Sequence, residues 1–157
     1  MRIRKAEEKD IPMLLSLLSE ILELHARIRS DIFIPGTTKY TESELKEILK
    51  DEDRPIFAAV TDDTDEMLGY AFCVIQKPSG SRNIIPFESV YIDDLCVTEK
   101  ARGQGIGKKL FEYVSEYARS RGCYEVTLNV WEGNDSARTF YEHLGMKPKE
   151  TQMEFIL

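Results

Sequence analysis

Arg102-Gly103-Gln104-Gly105-Ile106-Gly107-Lys108 is the stretch that decides how this chain is read. It follows an apolar, strand-like run from Tyr91 to Val97 and leads into a helical pattern that begins near Ile106. Glycines at alternate positions let the backbone approach a ligand closely and turn successive N–H groups the same way. The helix beyond contributes unpaired N–H donors and the positive end of its dipole, so the whole favours an anion. Arg102 and Lys108 bracket the loop with fixed positive charge. A phosphate or pyrophosphate is the ligand these features suit.

Two common phosphate loops fail on residues. The Walker pattern requires glycine where Arg102 stands and Ser or Thr where Lys109 stands. The dinucleotide fingerprint requires glycine at position 108, which is lysine, and a βαβ unit around it. Glycine clusters also occur in ordinary turns, so the flanking sequence has to separate the two readings.

Leu95-Cys96-Val97, followed by Arg102-Gly103-Gln104-Gly105-Ile106-Gly107, resembles the acetyl-coenzyme A signature of the GNAT superfamily of N-acetyltransferases, roughly Arg/Gln-x-x-Gly-x-Gly/Ala. Leu128-Asn129-Val130-Trp131, Asn134-Asp135-Ser136-Ala137 and Phe140-Tyr141-Glu142-His143-Leu144-Gly145-Met146 are similar to later blocks of that family, in the same order. The likeness runs from about residue 88 to residue 147. It implies an acetyl-CoA-dependent transfer to an amine, acetyl-CoA being a cosubstrate and no metal being needed.

With 157 residues the chain is expected to form a single domain, residues 1–157, with one substantial core. Hydrophobic residues make up 42% and charged residues 31%, proportions of a soluble globular protein. Apolar runs are too short for a membrane span, and no signal-like region opens the sequence, so a cytoplasmic location and no membrane partner are expected. A net charge of −7 argues against a general nucleic-acid binder and suits a neutral or cationic partner such as an amine. Cys73, Cys96 and Cys123 are widely spaced and, with only His25 and His143 available, form no metal spacing.

Residues 2–7 read as a strand. Asp10 reads as the cap of a helix with Pro12 in its first turn and an apolar stripe through Ile11, Leu14, Leu15, Leu18, Ile21, Leu22 and Ile28. Thr41-Glu42-Ser43-Glu44 is a capping box for a short helix to about Lys50. Strands are expected at Pro55–Thr61 and Met67–Gln76, joined as a hairpin through Asp62-Asp63-Thr64-Asp65. A central strand over Glu88–Val97 precedes the helix from about Gln104 to Ser120, closed by Gly122. Tyr124–Trp131 reads as a strand, Asn134–Leu144 as a helix closed by Gly145, and Met146–Leu157 as a closing strand or hairpin. This order predicts an α/β fold whose mixed, mostly antiparallel sheet is flanked by about four helices, the architecture the resemblance implies.

Acetyl transfer requires a neutral amine, donors for the developing oxyanion and a proton for the departing thiolate. The resemblance implies that the strand before the loop splays from its neighbour and offers the backbone of Leu95, Cys96 and Val97 to the pantetheine arm and thioester. Arg102, Gly103, Gln104, Gly105, Ile106, Gly107 and Lys108 would hold the pyrophosphate. Cys96 reads as a small buried thiol, since no histidine partner lies nearby in sequence. Tyr141 matches the family tyrosine that contacts the coenzyme sulfur and is the candidate acid; packing of the last helix is its other reading. Asn134 is either the cap of that helix or a contact to the pantetheine arm, and Ala137 leaves room for the cofactor.

The base stays open among Asp93, Asp94 and Glu88. Asp93 and Asp94 are consecutive on a strand, so alternation sends them to opposite faces, Asp93 with Tyr91 and Leu95, Asp94 with Ile92 and Cys96. Asp is disfavoured in strands, so at least one of them is expected to have a task. His25 and His143 read as surface residues, and Trp131 either walls the acceptor pocket or packs under a loop. The acceptor is a small-molecule or protein amine, and a homodimer through the C-terminal strands is a further implication of the resemblance. A non-catalytic acyl-CoA-binding module is the rival reading.

Overall fold

A computed structural model describes residues 1–157. Its elements run β1 (Arg2–Lys5), α1 (Ile11–Ile28), α2 (Glu42–Ile48), β2 (Ile56–Val60), β3 (Met67–Gln76), β4 (Ser89–Val97), α3 (Ile106–Ser120), β5 (Glu125–Leu128) and α4 (Asp135–His143). Short 3-10 turns at Glu8–Asp10 and Glu99–Ala101 lead into α1 and into the glycine loop. The sheet has the order β1-β2-β3-β4-β5, antiparallel throughout except for the parallel pair β4-β5. This is the mixed sheet with four helices that the element order predicts.

Each face of the sheet carries its own core. Ile11, Leu14, Leu17 and Leu18 of α1 and Leu45 and Ile48 of α2 cover Ile56, Ala58, Tyr70, Phe72 and Cys96. Ile106, Leu110, Val114 and Ala118 of α3, spaced at four residues, cover Phe57, Ala71, Cys73, Val90 and Ile92. Because both faces are covered, every residue of β2 is buried.

The capping box at α2 forms as expected: Glu44 N–H donates to Thr41 Oγ1 at 3.2 Å and Thr41 N–H to Glu44 Oε2 at 2.7 Å. Asp10 does not cap α1. The preceding 3-10 turn has already put it in helical geometry (φ −82°, ψ −15°). Its carboxylate instead accepts from Glu7 N–H at 2.7 Å and from both Arg4 terminal nitrogens at 2.7 and 3.0 Å, tying β1 to the start of α1.

Two expectations fail at the C-terminal end. β5 stops at Leu128 rather than reaching Trp131: its ladder with β4 ends at Ile92, just before the register of β4 slips. Met146–Leu157 forms no strand: the last backbone hydrogen bond is donated by Met146 to Tyr141 O, and Met153, Phe155, Ile156 and Leu157 stand exposed. The segment has strand-forming residues but makes no ladder with the open edge of β5. Side-chain pairs of Lys149 with Glu125 and of Glu154 with Arg29 hold it.

Candidate active site

The glycine loop is shaped by its backbone. Gly103 (φ +77°) and Gly105 (φ +76°) lie in the left-handed region, which costs other residues about 1–2 kcal/mol. A Cβ at either would touch nothing, so conformation and not crowding demands glycine there. Gly107 differs: it is already helical, and a Cβ would sit 3.1 Å from Phe140 Cζ, so glycine there lets α4 close on α3. Ile106 is buried under the sheet and anchors the start of α3.

The N–H groups of Gly103, Gln104, Gly105, Ile106, Gly107 and Lys108 donate to no protein acceptor, the first bond of α3 being Lys109 N–H to Gly105 O at 3.1 Å. Such a run of free donors at the head of a 15-residue helix fits a diphosphate. The side chains contribute less than the sequence suggests. Arg102 Nε donates to Val97 O at 3.1 Å, Gln104 Nε2 to Lys100 O at 3.0 Å, and Lys108 lies 3.7 Å from Glu112.

β4 leads straight into this loop. β5 pairs with it only from Ser89 to Ile92, so beyond that point β4 has β3 on one side and nothing on the other. Thr98 N–H donates to Leu68 O on the β3 side at 2.8 Å. Alternation then turns the backbone groups of Cys96 and Asp94 toward β3 and those of Leu95 and Val97 into the open gap. Leu95 and Val97 are therefore the residues of β4 whose backbone groups stand free to meet a ligand. Cys96 contributes no backbone group there, and burial pushes its thiol up to about 12, so it stays protonated.

The two aspartates do not lie on opposite faces. The β3–β4 register slips between Phe72 and Cys73: Cys73 faces Ile92 while Phe72 faces Asp94, which leaves Asp93 as the extra residue of a bulge. One added residue inverts the alternation, so Val90 and Ile92 face α3 whereas Cys96, further along, faces α1 and α2. Both carboxylates end up on the α1/α2 side. Asp94 Oδ2 accepts from Tyr70 O–H at 2.6 Å, and Asp93 Oδ2 accepts from Tyr40 O–H at 3.0 Å. Tyr40 stacks on Phe72 at 5.8 Å and Tyr70 meets it edge-on at 5.0 Å, so the two tyrosines bracket one ring.

These neighbours separate the candidates for the base. Burial raises the Asp94 carboxyl to about 6, with Asp93 adding to the shift and the Tyr70 hydrogen bond and Lys39 opposing it. Both Asp93 oxygens accept from Lys39 Nζ at 2.7 Å, so that carboxylate is already occupied by an internal ammonium. Glu88 lies at the other end of β4, about 20 Å from Asp94 at strand rise, and pairs with Lys77 at 3.2 Å and Arg121 at 4.0 Å. The structure does not bring Glu88 to the others.

Burial, followed by the charges of Asp94 and Cys96, moves the Tyr141 phenol well above the ordinary value near 10. Its hydroxyl has no protein partner, while Phe140 meets its ring edge-on at 5.0 Å. Asn134 caps α4 with its oxygen, 3.4 Å from Ala137 N. The amide nitrogen keeps its donors free, so capping and a ligand contact are compatible.

Across the gap, His25, Phe33 and Trp131 form an aromatic wall with centroid separations of 5.2 and 5.3 Å, and the Arg29 guanidinium lies over Trp131 at 5.8 Å. His25 is therefore partly buried, and burial with nearby Lys39 lowers its pKa. His143 is an exposed helix residue whose Nδ1 lies 2.7 Å from Thr139 O. Lys39, Tyr40 and Tyr70 were not legible as site residues: Lys39 and Tyr40 come from a loop more than fifty positions away from Asp93. Tyr70, the one polar-tipped residue among apolar neighbours in β3, is the only one of them with a hint in the sequence. A concavity of about 580 Å³ beside α2 shares Tyr40 with this site but has no run of free donors.

Residues 18–146 match the acetyltransferase (GNAT) family. The chain is 30% identical to thialysine N-epsilon-acetyltransferase from Bos taurus, over 91% of this chain and 82% of that protein. It is 27% identical to glucosamine 6-phosphate N-acetyltransferase from Arabidopsis thaliana, over 74% and 75%. The crystal structure of a point mutant of the BH1408 protein from Bacillus halodurans superposes with a TM-score of 0.94 at 29% identity, covering 100% of this chain and 99% of the other. With its loop, its one-sided β4 and these relatives in agreement, the chain is an enzyme of the GNAT acetyltransferase family, whose members use acetyl-CoA.

Proposed function

We propose that the protein moves the acetyl group of acetyl-CoA to a small primary amine by direct attack within a ternary complex. The observation that carries this reading is the convergence of Asp94, Tyr141 and the open edge of β4 just before the glycine loop. Acetyl-CoA supplies an already activated thioester. The free N–H groups from Gly103 to Lys108 hold its diphosphate, and those of Leu95 and Val97 face its pantetheine arm and thioester oxygen.

Asp94, with its carboxyl near 6, is mostly ionised at neutral pH and accepts the proton that the amine must lose. Tyr141 keeps its proton and donates a hydrogen bond to the departing sulfur. A phenol raised above 10 is a weak acid beside a thiol near 8.5, so its contribution is thiolate stabilisation more than full proton transfer. Asp93, neutralised by Lys39, shapes the acceptor side without acting as base. The relatives are named for thialysine and glucosamine 6-phosphate, both small amine substrates, and the aromatic wall of His25, Phe33 and Trp131 suits a small molecule in the same place.

A panel of amino acids, polyamines, amino sugars and peptides incubated with acetyl-CoA, read by thiol release, tests the reading. Turnover with at least one small amine is expected. Binding of CoA without thiol release from any amine would favour a non-catalytic acyl-CoA-binding module.

A further inference from the structure

The acceptor side holds an internal ammonium. Lys39, in the loop between α1 and α2, places Nζ at 2.7 Å from both oxygens of Asp93. Tyr40, its neighbour, donates to the same carboxylate at 3.0 Å, stacks on Phe72 and receives a hydrogen bond from Arg54 at 3.3 Å. Phe72 is the β3 partner of Asp94. The bulge at Asp93 brings these groups beside Asp94; in an unbroken strand Asp93 and Lys39 would lie across the sheet.

We infer that Lys39 is a positioning residue that, clamped on the bulged Asp93, neutralises it and so sets the pH at which Asp94 can act as base. The inference rests on the reading of Asp94 as that base. Two adjacent unpaired carboxylates would hold each other's protons, since like charges disfavour joint ionisation. With Lys39 in place the neighbour is a neutral pair, and Asp94 loses its proton below neutral pH. The groups facing this centre are Tyr70 from β3, Asp93 and Cys96 from β4, and Tyr141 from α4. Tyr91 of β4, Cys73 of β3, Glu20 and His25 of α1, Lys39 and Tyr40 of the loop, Arg54 before β2 and Arg102 of the glycine loop complete the set. Lys39 is the cation in that set held directly on Asp93.

The sign follows from the charges. Lys39 favours ionised Asp94 and Asp93 disfavours it. Lys39→Met should move the Asp94 midpoint up from about 6, by roughly half a unit to two units. Asp93→Asn should move it down. The double variant should return close to the parent value, because a net-neutral pair has been removed. Lys39→Arg should stay near the parent.

Carbon-13 NMR titration of the Asp94 carboxyl in the ligand-free protein reads the midpoint, and the pH profile of kcat/KM reads its use. In Lys39→Met both should shift together, the rate at pH 6 falling about two- to fiftyfold and recovering as pH rises. A uniform loss of rate at all pH values with an unmoved midpoint would mean that Lys39 only anchors its loop, which overturns the inference. A midpoint that moves while the rate profile does not would leave the coupling standing and remove Asp94 as the base. No restoration in the double variant would overturn the neutral-pair argument.

Discussion

Asp94→Asn should lower kcat by about 10²–10⁴-fold while leaving CoA affinity within about threefold, the range expected when a positioned base is lost and cofactor donors are kept. Asparagine can still accept from Tyr70 but cannot take a proton from an ammonium. In the parent protein the rate should fall tenfold per pH unit below about 6, because Asp94 is then protonated. The acid limb should be absent from the residual activity of the variant.

Stability should move in the opposite direction. The folded-state pKa of Asp94 is raised above 3.8, so its ionised form is disfavoured by folding. Its penalty is absent below about pH 4, where both states are protonated, and is fully present above about pH 6. Asp94→Asn should therefore stabilise the protein at pH 7.5, by on the order of 1–3 kcal/mol, and converge on the parent near pH 4. Denaturant unfolding at the two pH values checks this. A variant that keeps parental activity removes Asp94 from the reaction.

Tyr141→Phe should reduce kcat by about 10–10³-fold with CoA binding spared. Phenylalanine keeps the ring that packs against Phe140 and Phe111, so the fold should be unchanged. What is lost is one donor aimed at a developing thiolate. The loss should be smallest with acyl donors whose thiol is more acidic, since a better leaving group needs less help. A loss in CoA affinity with kcat unchanged would make Tyr141 a binding residue only.

The parts legible in the sequence are those written in single residues with strong backbone preferences. Gly103 and Gly105 announce positive φ, Thr41 and Glu44 announce a helix start, and the four-residue spacing of Ile106, Leu110, Val114 and Ala118 announces the buried face of α3. The parts that were not legible depend on partners. Nothing in Ile92-Asp93-Asp94-Leu95 marks a bulge, yet that one extra residue moves two carboxylates onto one face. Lys39 reaches Asp93 from a loop whose course the sequence does not reveal. Met153 to Leu157 has the residues of a strand, but propensity alone forms no ladder, and these residues stand exposed. Asp10 fails as a cap for a similar reason: the turn before it had already begun the helix, and Arg4 claimed its carboxylate.

Coenzyme A binding to the glycine loop underlies every catalytic role assigned above, and calorimetry on the purified protein measures it directly. Coenzyme A should bind with micromolar affinity, ATP and NAD should compete poorly, and Gly105→Ala should weaken binding about tenfold or more, because a left-handed φ of +76° is strained in alanine. Absence of any heat with coenzyme A, or undiminished affinity in Gly105→Ala, would contradict the assignment of those main-chain donors.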